Sequence, residues 1–545
     1  MNENITIYTH IPKDEYTESL ANSIHLAISN NEGIIEPLNK NYGILFATAT
    51  INENNVICEK GLKDPCIFRT AEGKFGISAI RIEKDGKEDS ESKGKILFWT
   101  SDDLIHFEYH GFAAMQDGEY SKFGNTIAIS SEESTLIRNY WLPLRHTGTE
   151  APQNVKVSSP EQLKSVKALA IYSDDSKAEK TVEWDYSKID FNKPGIYEIK
   201  GTLTQPVYQF PLAKGYADPV ILPWQGKYYF ISSNDNTDDV GLFTRVSDTI
   251  EGLFAPGYKE FLILEKNEEK DLVQTFWAPE FHFIGGSLYI LFAVSGKKWG
   301  PQCHIMRLKE NGNICEAKDW EDPVLVRRKN GDPLVRDDGI SLDMTYFKAE
   351  GASYLAWSYR RGFNTPDAPY DTGSMILIAA ADDKNPAVLA SDPVLLSRPL
   401  FGWENIQGTI NNEGPYPLVT DKAVYLAFSG GAANGYTYAI GTLRITIGDD
   451  CLNPALWKKS SCPVLSYNSI DGVYGPGHNS FFKDYDGTVM IMYHGETELV
   501  KTGQRCTAMH RVHFDKNGEP VFNLSIDRDS DPALSEVSMQ VTVRN

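Results

Sequence analysis

One pattern constrains this chain more than any other. A short turn-forming cluster returns five times, each time just ahead of an aromatic-rich run. The clusters are Ala217-Asp218-Pro219, Trp277-Ala278-Pro279-Glu280, Ser341-Leu342-Asp343, Glu413-Gly414-Pro415 and Gly475-Pro476-Gly477-His478. They recur at roughly 60 to 70 residues, somewhat longer than the usual propeller-blade period. The runs that follow include Lys227-Tyr228-Tyr229-Phe230-Ile231, Leu288-Tyr289-Ile290-Leu291-Phe292, Tyr354-Leu355-Ala356-Trp357, Val424-Tyr425-Leu426 and Val489-Met490-Ile491-Met492-Tyr493. Five repeats of strand, turn, aromatic strand and two further strands make a five-bladed β-propeller, so the fold class expected is all-β. In such a ring the innermost strands converge on one axis. Residues at their starts then meet at one mouth, although they lie far apart in sequence.

A length of 545 residues leaves room for roughly two to four domains. The formal net charge of -21 argues against nucleic acid and anionic membranes as partners, since both reward clusters of Lys and Arg. No uncharged apolar run is long enough to span a bilayer. Met1-Asn2-Glu3-Asn4 offers neither a basic nor an apolar leader segment, so the expected location is cytoplasmic, or extracellular if a leader was removed. The seven cysteines are scattered, odd in number and without a Cys-x-x-Cys spacing. They read as reduced core or strand thiols rather than a zinc site.

Four regions follow. Residues 1–149 form an N-terminal β region in which Asp64-Pro65-Cys66-Ile67-Phe68 and Gly73-Lys74-Phe75-Gly76-Ile77 echo the start of the first blade. One such unit is too short to close a ring, and no partner carboxylates follow Asp64 at the blade period. The charged stretch from Lys84 to Ser92 reads as a solvated hairpin tip. Residues 150–210 carry short alternating strands. Their Trp184 and Lys193-Pro194-Gly195-Ile196-Tyr197 resemble bacterial Ig-like modules, which implies a small β-sandwich acting as a spacer or packing partner. Residues 211–525 hold the propeller. Residues 526–545 read as a tail or closing strand; Asp527, Asp529 and Asp531 lack the Gly and terminal Glu of an EF-hand loop.

Three carboxylates begin three blades: Asp218, Asp343 and Glu413. Brought to one axis they suit glycoside hydrolysis, which needs a proton donor at the leaving oxygen and a carboxylate that activates water or attacks carbon. A third carboxylate near the acid keeps it protonated by like-charge repulsion. For any one of them alone, a capping role in a blade turn is the simpler reading. Asp337 and Asp338 compete for the role of Asp343.

The ordered set of Trp277 to Glu280, Ser341 to Asp343, Asn412 to Pro415 and Gly475 to Phe481 resembles the catalytic domain of glycoside hydrolase family 43, in particular its arabinofuranosidase-like members. The resemblance runs from Tyr216 to about Pro520. It implies an inverting mechanism with Asp218 as general base, Glu413 as general acid and Asp343 tuning and orienting the acid. It also implies that His478 lies on the axis and contacts a structural metal, usually Ca2+; a hydrogen bond within the turn is the alternative. Trp277 would be a stacking floor for the sugar or a core residue between blades. Arg505 would reach the mouth and pair with a carboxylate or a sugar hydroxyl. Glu280 is expected to brace its strand, and His494, His510 and His513 read as strand or turn histidines. The activity implied is release of terminal α-L-arabinofuranose from arabinan or arabinoxylan oligosaccharides of plant cell walls. β-Xylosidase and endo-arabinanase are the rivals of the same fold, and a non-catalytic carbohydrate-binding propeller is the reading from another class. Fructan cleavage is disfavoured, because the Arg-Asp-Pro motif of invertase-type propellers is missing.

Overall fold

β-Branched and aromatic runs separated by turn glycines build four-stranded antiparallel sheets along most of the chain. The computed structural model describes residues 3–13, 16–29, 33–114, 124–335, 339–362, 371–406, 410–499 and 504–544; Asp337 and Asp338 lie outside them. Blade 1 comprises Tyr216–Trp224, Lys227–Asn234, Leu242–Ser247 and Glu260–Leu264. Blade 2 comprises Gln274–Ile284, Ser287–Ser295, Gln302–Arg307 and Val324–Leu325. Blade 3 comprises Gly339–Ala349, Ala352–Arg361, Met375–Ala380 and Val394–Ser397. Blade 4 comprises Asn412–Val419, Ala423–Gly430, Ala439–Thr446 and Lys458–Lys459. Blade 5 comprises Tyr474–Lys483, Val489–Glu496 and Cys506–Arg511, and takes its outer strand from Ala213–Lys214, ahead of blade 1. The first strand of each blade packs against the first strands of its neighbours, and that of blade 5 packs against that of blade 1.

A detail of these first strands sets up the site. Each breaks register with its neighbour at the recurring cluster: between Ala217 and Val220, Trp277 and Glu280, Leu342 and Thr345, Glu413 and Tyr416, and Gly477 and Ser480. One residue in each break has positive φ: Asp218 (52°), Ala278 (46°), Asp343 (54°), Gly414 (57°) and His478 (47°). A bulge re-aims a side chain out of the pleat, and left-handed backbone is costly for anything but glycine. Asp218, Asp343 and His478 carry that cost at equivalent positions of three blades.

The N-terminal region contains a fourfold meander of the same kind, Lys60–Arg69, Phe75–Glu83, Lys95–Ser101 and Glu108–Ala114. It even repeats the bulge, between Lys63 and Cys66, with Asp64 at φ 48°. It lies outside the ring, and Asp64 is exposed. A second sheet, from Glu3–Tyr8, His25–Ser29, Ile35–Pro37 and Thr126–Ile129, is followed by the helix Ser131–Trp141, which opens with a capping box of Ser130 and Glu133. This region shares one core with blades 3 and 4: Leu26, Phe46 and Trp141 belong to the same apolar cluster as Phe347, Trp403 and Phe428. The stretch from Lys84 to Ser92 turns through exposed residues at its tip, as expected of a solvated hairpin, but returns into the protein at its end. Its Asp89 is fully buried, 3.2 Å from Lys60 and 2.6 Å from Arg81. Both cations are themselves buried and need a counter-charge.

In the sandwich, strand Lys177–Asp185 pairs with Ala168–Tyr172 through its first half and with Gly195–Thr204 through its second. Trp184 lies in its core and donates its indole N–H to the Val166 carbonyl at 2.9 Å. Residues 526–545, read from the sequence as a tail or a closing strand, return to this module. Strand Glu536–Val543 lies between Gly195–Thr204, antiparallel, and Asn154–Val157, parallel. Just before it, the buried Asp529 pairs with Arg511 of blade 5 and with Lys180 of the sandwich. Among the described residues no disulfide joins any two of the seven cysteines.

Candidate active site

The bulges bring Asp218, Asp343 and His478 into one buried cluster, with Glu413 beside them. Asp218 Oδ2 accepts the Ser233 hydroxyl at 2.5 Å. Its Oδ1 lies 3.2 Å from His478 Nδ1, 3.2 Å from His494 Nδ1 and 3.5 Å from an Arg505 nitrogen. Burial by itself raises a carboxyl pKa. Here the charges of His478 and Arg505 outweigh it and hold Asp218 well below the usual carboxylate range. Asp343 Oδ2 accepts the Ser358 hydroxyl at 2.7 Å and the Gly414 N–H at 3.0 Å, and its Oδ1 is 4.0 Å from His478 Nε2. Burial pushes this carboxyl up, against the pull of His478.

Glu413 keeps part of its side chain open to solvent, and its Oε1 accepts the Tyr438 hydroxyl at 2.9 Å. Its crowded surroundings, and next the negative charge of Asp343, lift its pKa to about 7. Two carboxyl groups of one cluster are thus driven apart, one ionised across the working range and one protonated up to neutrality. Such a split is what a base and an acid acting on one bond require.

Serines on the second strands steady the bulges. The Ser233 hydroxyl donates to Asp218 and accepts the Ala278 N–H of the next blade at 2.8 Å. The Ser358 hydroxyl donates to Asp343 and accepts the Gly414 N–H at 3.2 Å. Ser429 accepts the His478 N–H at 2.7 Å. These serines follow aromatic or aliphatic runs at one position of the repeat, a signal present in the sequence but not read from it.

His478 bridges Asp218 and Asp343 through its two ring nitrogens. Burial lowers its pKa, and the surrounding carboxylates, Asp218 foremost, raise it further than burial lowers it. A calcium ion wants about six to eight oxygen ligands. Among the described residues no group of three His, Cys, Asp or Glu side chains is placed to hold a metal ion. In this structure the two ring nitrogens of His478 face Asp218 and Asp343.

Trp277 is half-buried and lies beside Asp239. Arg505 is held by Asp235, at 3.1 Å through Nε and 2.5 Å through Nη2, and is turned toward Asp218. Glu280 bonds His282 at 2.6 Å; burial pushes the acid up and the imidazole down to about 3, so the pair is neutral. His494 is no ordinary strand histidine, because it touches Asp218. Neither it nor Tyr438 stands out in the sequence, since each takes its meaning from a partner in another strand.

Residues 208–520 match Glycosyl hydrolases family 43, and residues 153–206 match a Bacterial Ig-like domain (group 4). The chain belongs to glycosyl hydrolase family 43. This family 43 enzyme is 30% identical over 345 residues to Alpha-L-arabinofuranosidase B of Pyricularia oryzae, which covers 62% of this chain and 67% of that one. It is 32% identical over 294 residues to the Extracellular exo-alpha-(1->5)-L-arabinofuranosidase of Streptomyces chartreusis, covering 53% and 82%. A crystal structure of alpha-L-arabinofuranosidase from Lactobacillus brevis superposes with a TM-score of 0.50 at 26% identity, over 59% of this chain and 98% of that one. Residues 1–152 lie outside both family matches. Among the described residues no helix is long and apolar enough to cross a membrane.

Proposed function

We propose that this family 43 hydrolase is an inverting, exo-acting α-L-arabinofuranosidase that removes terminal arabinose from arabinan or arabinoxylan oligosaccharides. The observation that carries the chemistry is the split between Asp218, ionised beside His478 and Arg505, and Glu413, protonated up to about pH 7 beside Asp343. A water oxygen attacks the anomeric carbon and loses a proton to Asp218. The glycosidic C–O bond breaks, its electron pair stays on the leaving oxygen, and that oxygen takes the proton of Glu413. Asp343 keeps the acid protonated, and the His478 charge holds Asp218 and Asp343 to one another. The preference for arabinose rests on the names of the relatives and on the four ordered motifs.

A panel of nitrophenyl glycosides and linear arabino-oligosaccharides, read by product analysis and by NMR of the first-formed anomer, tests each element. The expected result is hydrolysis of α-L-arabinofuranosides, release of single residues from one chain end, and inversion. Activity confined to xylosides overturns the sugar assignment. Internal fragments overturn exo action, and a retained anomer overturns the roles given to Asp218 and Glu413.

A further inference from the structure

Tyr438 is fully buried, and two neighbours define the position of its ring. A Cβ at Gly477 would fall 1.9 Å from Tyr438 Cδ1 and 2.0 Å from Cε1, so only glycine leaves room for the ring. This gives the second glycine of Gly475-Pro476-Gly477-His478 its physical reason. The His494 ring stacks on Tyr438, with centroids 5.4 Å apart and planes 18° from parallel. His494 is itself fixed: Nε2 donates to the Ala433 carbonyl at 2.8 Å, and Nδ1 accepts the Asp218 N–H at 3.3 Å. The clamped ring delivers its hydroxyl to Glu413 Oε1 at 2.9 Å. The Ser429 side chain lies beside the same hydroxyl.

A phenol has one proton to donate, and here it goes to Oε1. A neutral carboxylic acid has one O–H. We propose that Tyr438 is a positioning residue of the general acid: it reserves Glu413 Oε1 as an acceptor and so leaves Oε2 as the oxygen that carries the proton to the leaving group. The His494 stack makes one clamp serve both ends of the reaction, since the same imidazole holds the backbone N–H of the base. The inference rests on the assignment of Glu413 as the acid. The charged and titratable groups around Glu413 are Asp343, His478, Asp218 and Tyr438 itself.

The test is Tyr438→Phe in the full-length protein, which keeps the ring, its stack and its fit over Gly477. Turnover is compared on a glycoside with a good leaving group, 4-nitrophenol, and on an oligosaccharide of the same sugar, whose leaving alcohol depends on protonation. The expected result is a loss of about tenfold or more in kcat on the oligosaccharide, as for a weakened general acid. The loss on the nitrophenyl substrate is much smaller, and KM is nearly unchanged on both. The alkaline limb of the rate profile moves to higher pH, because the phenol's hydrogen bond favours ionised Glu413. Equal losses on both substrates with an unmoved limb, or a lowered Tm alone, would overturn the proposal. Glu413→Gln is run on the same pair: if it retains turnover, the acid assignment itself fails. A wrong sugar assignment shows in the wild-type enzyme, and the comparison then uses whichever glycoside is hydrolysed.

Discussion

In the mechanism proposed, replacing Glu413 by Gln removes the proton that the leaving oxygen takes while keeping the shape and the acceptor at Oε1. Turnover of oligosaccharides is expected to fall by about 10²–10⁴-fold, the usual worth of general acid catalysis. Binding of the sugar product, measured by calorimetry, should persist. The same residue sets the pH dependence. Its pKa is raised to about 7, so the acid is competent below that value and kcat/KM falls as pH rises through it. Asp343→Asn removes the negative neighbour that helps hold the proton. The alkaline limb should then shift to lower pH, which a pH–rate profile reads directly. Stability follows the same sign: a carboxyl whose folded pKa is raised contributes stability at low pH, and that contribution is lost as pH climbs from the ordinary Glu value toward 7. Asp218 runs the other way, and its contribution persists into acid. The three carboxylates were legible in the sequence because each stands in or beside a turn-forming cluster that recurs. Tyr438 and His494 were not legible, because neither has a local signature and each is defined by a contact with a strand of another blade.

At the scale of single elements the recurring bulge carries the function. The repeat period and the aromatic runs made the strands legible, but not the register break that turns Asp218, Asp343 and His478 inward. Ser358 shows what maintains such a break. Its hydroxyl serves Asp343 and the Gly414 N–H together. Ser358→Ala leaves both groups short of a partner in a buried place, and should lower unfolding free energy by about 1–3 kcal/mol, measured by denaturant titration. It should also move the Glu413 limb to lower pH, because an Asp343 deprived of that donor ionises less readily and repels less. The N-terminal meander marks where the motif stops meaning catalysis. Asp64 shares the bulge and the left-handed backbone of Asp218, but it is exposed and lies in a sheet outside the ring. Asp64→Asn should leave kcat and KM unchanged in the assay that resolves Glu413→Gln.

Over the whole molecule the modules are bound by contacts that join distant parts of the chain. The N-terminal region covers apolar side chains of blades 3 and 4, Phe347 and Phe428 among them, so its residues work as core as well as surface. The end of the chain completes the sandwich. Its alternation of Val537, Met539, Val541 and Val543 with polar residues is the pattern of a half-buried strand. What the sequence could not supply was its partner, because Gly195–Thr204 lies more than three hundred residues earlier. Between sandwich, chain end and blade 5 lies one ionic knot: Asp529 with Arg511, with Lys180 at 2.9 Å and with the Tyr172 hydroxyl at 2.6 Å. Asp529 and Lys180 are each about 3% exposed at the side chain. A buried Lys180 and a half-buried Arg511 around one carboxylate are tolerable only while it is there. Asp529→Ala strands both of them, and the expected cost is about 3–5 kcal/mol, the usual penalty for removing one partner of a buried pair. Because the knot lies outside the cluster of Asp218, Asp343 and Glu413, kcat measured well below the lowered Tm should match the wild type. A fall in kcat at that temperature would mean that the docking of the sandwich reaches the active site through blade 5, the blade that also supplies His478, His494 and Arg505.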